Sequence, residues 1–475
     1  MTMILTKVAI AVLAAISIAT TAVAIRGDSA ESIGSTSATL TRSTPQLSTP
    51  LLSPRRVPAL IAQPLGERRL AASLEQIWSR HPSASCLLVA EGAQVLYARK
   101  TDQLVTPASA LKLLTASAAL RRIGPDERLV TTVRTKTQLS GGIVNGDLWI
   151  VGGGDPVLGT QPWADKRTRQ PPLKSSLETL ADRVVAAGVK EIRGQIQGDE
   201  SRYDQTRFIA SWPQRYLDDN EIGPLSALTV NDGFSTWDPE LVRFDNPAVG
   251  AATVFSELLQ ARGVAISANA GSGKAPEGSI EIARLESPKI SELVADLIRE
   301  SDNGTAELLV KELGVRVNGE GSTTAGLKVL IETLKEFGLN TEGTHIADGS
   351  GLDPNNKVSC SILQSIASAI EKGGPIDQGL AIAGFTGTLA KRFVDNPAKG
   401  KLRAKTGSLN RVAALVGAVD GSQGTILSFT QVINNMSNSA AARDLQEALG
   451  AALARYPEIP AVEALSPLAP IDTRT

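Results

Sequence analysis

The first clear pattern in the chain is an apolar run at its start. Val8 to Ala24 is apolar apart from Ser17, Thr20 and Thr21; it follows Lys7 and ends on Ala22-Val23-Ala24. A positive flank, an apolar stretch and small closing residues are the three parts of a secretory signal. The Ala-x-Ala ending favours cleavage over a retained membrane anchor. Residues 1–24 are therefore read as a signal peptide or N-terminal anchor, with the rest of the protein extracytoplasmic. Over 25–65 the apolar periodicity gives way to Ser, Thr and Pro, which predicts a linker with little to bury.

Regular patterning returns near Gly66. Leu70 to Ser79 has helical spacing, and Cys86–Ala90 and Gln94–Ala98 are strand-like runs joined by Glu91-Gly92-Ala93, a hairpin signal. An alanine-rich helix is predicted from Ala108 to Arg122. The stretch LVTTVRTKTQLSGGIVNGDLWIVGGGDP then leans to β, with short alternating runs and frequent glycine turns, before helices and strands mix. Helical period recurs at Ser291–Arg299, Ala306–Leu313 and Thr323–Phe337. Strands are predicted at Leu402–Thr406, Val412–Val419 and Thr425–Val432, and a helix from Ser439 to Arg455 closes the body. Residues 459–475, rich in proline, read as a tail.

Composition narrows the function. At 475 residues the chain fits two or three domains. Lys plus Arg number 48 against 49 Asp plus Glu, so nothing favours nucleic acid or an acidic membrane surface as partner. Only two histidines and two cysteines are present, and none stands in ligand spacing, so no metal or other cofactor is expected. Cys86 and Cys360 read as small buried apolar residues in preference to a disulfide, although an exported chain permits one.

Three short motifs carry chemistry. Ser109-Ala110-Leu111-Lys112 follows Pro107 at the start of the alanine-rich helix. Residues three apart on a helix share a face, so the hydroxyl and the amine can meet. A serine is a weak nucleophile until a neighbouring base takes its proton, and a buried lysine can be that base. Ser301-Asp302-Asn303 interrupts two helical segments. Its ordinary reading is a helix cap; its functional reading gives Ser301 a proton relay and Asn303 a hydrogen bond to substrate and to the lysine. Lys405-Thr406-Gly407, leading into Ser408 on a predicted strand, is ordinarily a surface lysine before a turn. Functionally it needs an edge strand to which a peptide can add, with Gly407 admitting the substrate backbone. Alone each motif is weak. In this order they form the signature of class A β-lactamases and penicillin-binding proteins.

With TPASALKLLTASAAL, LWIVGGGDPVL, PLSALTVNDG, IADGSGLDPNNKVS, GFTGTLAKRF and AKTGSLNRVAALVG, the chain resembles the DacB-type, class C low-molecular-mass penicillin-binding proteins, the D-alanyl-D-alanine carboxypeptidase/endopeptidase family. The resemblance covers roughly Gly66 to Arg455. It implies an α/β (α+β) fold of penicillin-binding/β-lactamase type, an antiparallel sheet flanked by helices. The catalytic domain would be split into 66–126 and 285–458 around a β-rich insert at 127–284. It implies Ser109 as the acylated nucleophile, Lys112 as its base and Ser301 as a third catalytic group. Asn303, Lys405, Thr406, Gly407 and Ser408 would bind substrate, with the N–H groups of Ser109 and Ser408 forming the oxyanion hole. Peptidoglycan peptides would be the substrates and β-lactams covalent inhibitors. Asp353-Pro354 stands where relatives often carry Ser-Arg, which leaves the third stem-peptide residue open. A β-lactamase-like hydrolase and a non-catalytic peptidoglycan-binding scaffold are the competing readings.

Overall fold

A computed structural model describes residues 57–167 and 172–459. The signal or anchor, the linker as far as residue 56 and the tail from residue 460 lie outside the described residues. The first helix spans Val57–Trp78, so helix begins inside the segment expected to be linker.

The folded body is organised on a six-stranded antiparallel sheet. Its order is Ala381–Ile382, Leu402–Leu409, Val412–Asp420, Ile426–Asn434, Ser85–Glu91, Gln94–Arg99. An early hairpin thus joins strands from the far end of the chain, and Ser85–Glu91 pairs with Ile426–Asn434 from Ser85↔Ile433 to Glu91↔Leu427. Strand period two sends alternate residues to opposite faces. Leu87, Val89, Leu415, Phe429 and Ile433 pack on Leu70, Leu74, Leu445 and Leu449 of the terminal helices, Val57–Trp78 and Ser439–Arg455. Cys86, Ala414, Val416 and Val432 face the other way, onto Leu111, Leu114, Leu293, Leu297, Leu309 and Leu363. Both faces are covered, which is why Ser85–Glu91 reads as a continuous apolar run instead of an alternating one.

The glycine-punctuated region builds a second sheet and a core of its own. Strand order is Gly271–Ser272, Ile196–Asp199, Leu148–Val151, Arg128–Thr135, Ile280–Lys289. Helices Leu177–Ala186 and Pro247–Gln260 pack on it through Leu180, Val184, Phe255 and Leu259. A smaller apolar cluster, including Tyr203, Trp212, Tyr216 and Leu225, lies against Leu308 and Leu352. Arg202 reinforces it with a two-pronged hydrogen bond to the fully buried Glu312, at 2.7 and 2.9 Å.

The cysteine reading is corrected. Cys86 and Cys360 are buried, but they are bonded to each other, with Cα atoms 6.2 Å apart and a sequence separation of 274. The bond ties the Ser85–Glu91 strand to the helix Cys360–Ser368.

Candidate active site

The alanine-rich segment does not begin as an α-helix. Ala108–Leu111 forms a 3₁₀ turn, and α-helix runs from Lys112 to Arg122. Ala108 sits at φ 49°, a left-handed conformation that costs a non-glycine residue about 1–2 kcal/mol. Neighbouring segments hold it there. Gly351, itself at φ 83°, comes so close that a Cβ would lie 2.0 Å from Ala108 O. Gly407 approaches from the other side, where a Cβ would stand 2.7 Å from Pro107 O and 3.0 Å from Ala110 N. The glycine of Lys405-Thr406-Gly407 is therefore needed for contact with the turn that carries Ser109. This packing reason stands beside the expectation that it admits the substrate backbone.

Ser109 remains half-exposed on a turn whose other residues are buried. Lys112 is fully buried, and its Nζ donates to Asn303 Oδ1 at 2.7 Å and to Ser350 O at 2.6 Å. It lies 3.0 Å from Ser109 Oγ. Burial drives its pKa down to about 8, against the opposing pull of Asp348, Glu307, Asp302 and Glu221. A neutral amine has two N–H bonds and one lone pair. Asn303 Oδ1 and Ser350 O accept the two, which leaves the lone pair for the Ser109 hydroxyl proton.

Asn303 cannot turn its amide without loss, because Nδ2 donates to Glu221 O at 2.8 Å. The Ser301-Asp302-Asn303 motif is also a helix junction. Ser301 ends Ile290–Glu300 in a left-handed conformation at φ 61°, and Asp302 caps Asn303–Asn318 by accepting from Thr305 N at 2.6 Å. The capping reading and the close placement beside Lys112 are thus both present. Left-handed Ser301 turns its hydroxyl to Lys405 Nζ, 2.8 Å away.

Lys405 is fully buried, and its Nζ also reaches Thr406 O at 2.8 Å. Burial first, and then the charge of Lys112, push its pKa well down. At the surface of the cleft Thr406 and Ser408 are accessible instead. Thr406 Oγ1 donates to Thr388 Oγ1 at 2.8 Å. The neighbouring strand Ala381–Ile382 pairs only with Ala404 and Arg403, so the edge from Lys405 to Leu409 is left open. Ser109, Ser301, Asn303, Thr406 and Ser408 line one cleft of about 420 Å³, with Lys112, Lys405 and Gly407 in its buried wall.

Several participants carry no signature of their own. Ser350 contributes a backbone carbonyl, and its loop is clamped by buried Glu307, which accepts from Gly349 N at 3.0 Å and Ser350 N at 2.7 Å. Burial and the Asp348 carboxylate push Glu307 upward in pKa. Glu307 stands four residues after Asn303 on the same helix, and that spacing is a signal that could have found it. Asp353, in the position of the departure noted above, is buried and accepts from Ser211 Oγ.

A model of the D-Ala-D-Ala carboxypeptidase 3 (S13) family matches residues 68–238 and 235–456. The chain belongs to that family. It is an enzyme of the D-Ala-D-Ala carboxypeptidase class. It is 30% identical over 346 residues to carboxypeptidase DacB of Mycolicibacterium smegmatis, covering 69% of this chain and 71% of the relative. To the D-alanyl-D-alanine carboxypeptidase of Actinomadura sp. it is 27% identical over 445 residues, 76% of this chain and 79% of the other. In fold it is similar to penicillin binding protein 4 (dacB) from Haemophilus influenzae. That match has a TM-score of 0.69 at 19% identity and covers 81% of this chain and 99% of that one.

Proposed function

We propose that this member of the S13 family is a serine-type D-alanyl-D-alanine carboxypeptidase/endopeptidase acting on peptidoglycan stem peptides through an ester on Ser109. The contact that carries the reading is Lys112 Nζ held 3.0 Å from Ser109 Oγ by two acceptors. Lys112 takes the hydroxyl proton, Ser109 Oγ attacks the penultimate D-alanyl carbonyl, and the N–H groups of Ser109 and Ser408 receive the oxyanion. Ser301, hydrogen-bonded to Lys405, returns a proton to the departing amine. Water then cleaves the ester. Asn303 binds the acyl part of the substrate, while Thr406 and Ser408 take the terminal carboxylate. Lys405, buried beneath, acts through its hydrogen bond to Ser301. The open edge from Lys405 to Leu409 receives the peptide as an added strand. A penicillin enters as the same kind of acyl donor and stays on Ser109.

The same reading divides the chain into catalytic parts at 66–126 and 285–458 with an inserted domain at 127–284, a division that the separate core of the second sheet supports. The enzyme would be exported, its first 24 residues serving as signal or anchor. A disulfide between Cys86 and Cys360 suits an oxidising compartment.

Labelling with a fluorescent penicillin, read on a denaturing gel, tests the proposal. A lasting covalent band that disappears in Ser109→Ala is expected. Fast drug turnover without a band would identify a β-lactamase, and no reaction at all would leave a binding scaffold.

A further inference from the structure

The cleft around Ser109 has two electrically different ends. One carries Glu221 and Glu300, and the other carries Arg392 and Arg443 beside Thr406 and Ser408. The basic end runs on into a groove of about 330 Å³ that reaches Arg411 and Ser437–Ser439, at the start of the last helix. Among the described residues no carboxylate lines this groove.

Its arginines are poorly neutralised. Arg443 is exposed, stands in the second turn of the helix Ser439–Arg455 and has no hydrogen-bond or ion-pair partner among the described residues. Arg392 donates from Nη2 to Gln446 Oε1 at 2.8 Å, while its Nε is buried without a partner. Glu447, a nearby carboxylate, is occupied by Phe393 N and Asn396 Nδ2, both at 2.9 Å. Burial lowers the pKa of Arg392; the charge of Glu447 opposes this shift in part, and that of Arg443 adds to it. Two like charges left side by side at the mouth of a groove are suited to an incoming anion.

The identity of that anion follows if the reading of the cleft above is accepted, since this inference rests on it. A departing D-alanine has one carboxylate, which Thr406 and Ser408 already take. We propose that Arg392 and Arg443 bind a second carboxylate on the leaving side, so that the preferred substrate is a cross-link whose departing amine belongs to an acidic peptide strand. The reaction is hydrolysis. Ser109 Oγ bonds to the D-alanyl carbon, the C–N bond breaks, and the amine leaves with a proton before water opens the ester.

The test uses two donor peptides that differ only in the leaving residue, D-glutamate or its uncharged isostere D-glutamine. Their kcat/KM ratio is measured for wild type, Arg443→Gln and Arg443→Glu, alongside penicillin labelling of each. Wild type should prefer the D-glutamate peptide by several-fold to about ten-fold. The preference should fall to about one in Arg443→Gln, reverse in Arg443→Glu, and shrink with added salt. A wild-type ratio near one, or a ratio that neither substitution moves, overturns the inference while leaving the serine mechanism intact. A protein that neither labels with penicillin nor cuts either peptide overturns both.

Discussion

Lys112 and Asn303 are 191 residues apart in sequence and 2.7 Å apart in the cleft. The asparagine does more than touch the amine. Fixed by its own bond to Glu221 O, it presents only an acceptor, and so decides which part of the amine faces Ser109. A relation of this kind makes the base role of Lys112 open to direct attack by experiment.

Lys112→Ala should slow acylation by about 10²–10⁴, the usual yield of a positioned general base. Lys112→Arg should be nearly as slow, because a guanidinium does not give up its proton in this range. Rates come from the time course of penicillin labelling, with circular dichroism to confirm folding. Acylation close to wild type in either variant would remove Lys112 from its role.

The pH profile follows from the same amine. Lys112 must be neutral to act, and its pKa is brought down to about 8, so acylation should rise with pH and level off above that value. Stability should move the same way. The unfolded lysine titrates near 10.4, so between about 8 and 10 the unfolded chain holds the extra proton and stability increases with pH. A flat acylation profile from pH 6 to 9 would contradict the assignment.

Glu307→Gln replaces a carboxylate that accepts two backbone N–H groups by an amide that can turn an NH₂ toward them. An unsatisfied or opposed buried donor costs about 1–3 kcal/mol, which should appear as a lower Tm. Release of Ser350 O should also slow acylation in the folded fraction. Unchanged Tm and rate together would mean that the 348–351 loop does not depend on this clamp.

Gly407→Val tests the packing of strand on turn. Its Cβ would stand within 3.0 Å of backbone atoms at Pro107 and Ala110, and crowding of this kind typically costs about 1–3 kcal/mol. The nucleophile turn and the strand must separate, so acylation should fall more than stability does. Normal labelling kinetics would show that the turn tolerates displacement.

Removing the disulfide with a Cys86→Ala/Cys360→Ala pair should lower unfolding free energy by about 2–4 kcal/mol in urea titration. Equal stability of the two proteins under non-reducing conditions would show that the bond is dispensable for the fold.

Much of this was legible in the sequence because the informative segments are regular. The hairpin at 85–99 and the helix Ser439–Arg455 stand where two strand-like runs around a turn signal and a helical period put them. The three motifs could be read because they use side-chain chemistry. Ser350 and Glu221 could not, since they act through backbone carbonyls that every residue possesses. Helical spacing does not separate a 3₁₀ turn from an α-helix when the relevant pair is three residues apart. The form of Ala108–Leu111 depends instead on Gly351 and Gly407, which meet it only in the folded state. Two lone cysteines carry no record of pairing, because proximity across 274 residues is a property of the sheet and the helix that bring them together.

That covalent tie also changes what a broken backbone would mean. A single protease cut anywhere between Arg128 and Lys289 would yield two polypeptides, one bearing Ser109 and the other Lys405, still fastened through Cys86 and Cys360. In an oxidising compartment the nicked enzyme would remain one molecule, with its nucleophile and distant lysine leashed to each other. Added reductant would leave the two pieces held by the packing of their shared sheet alone.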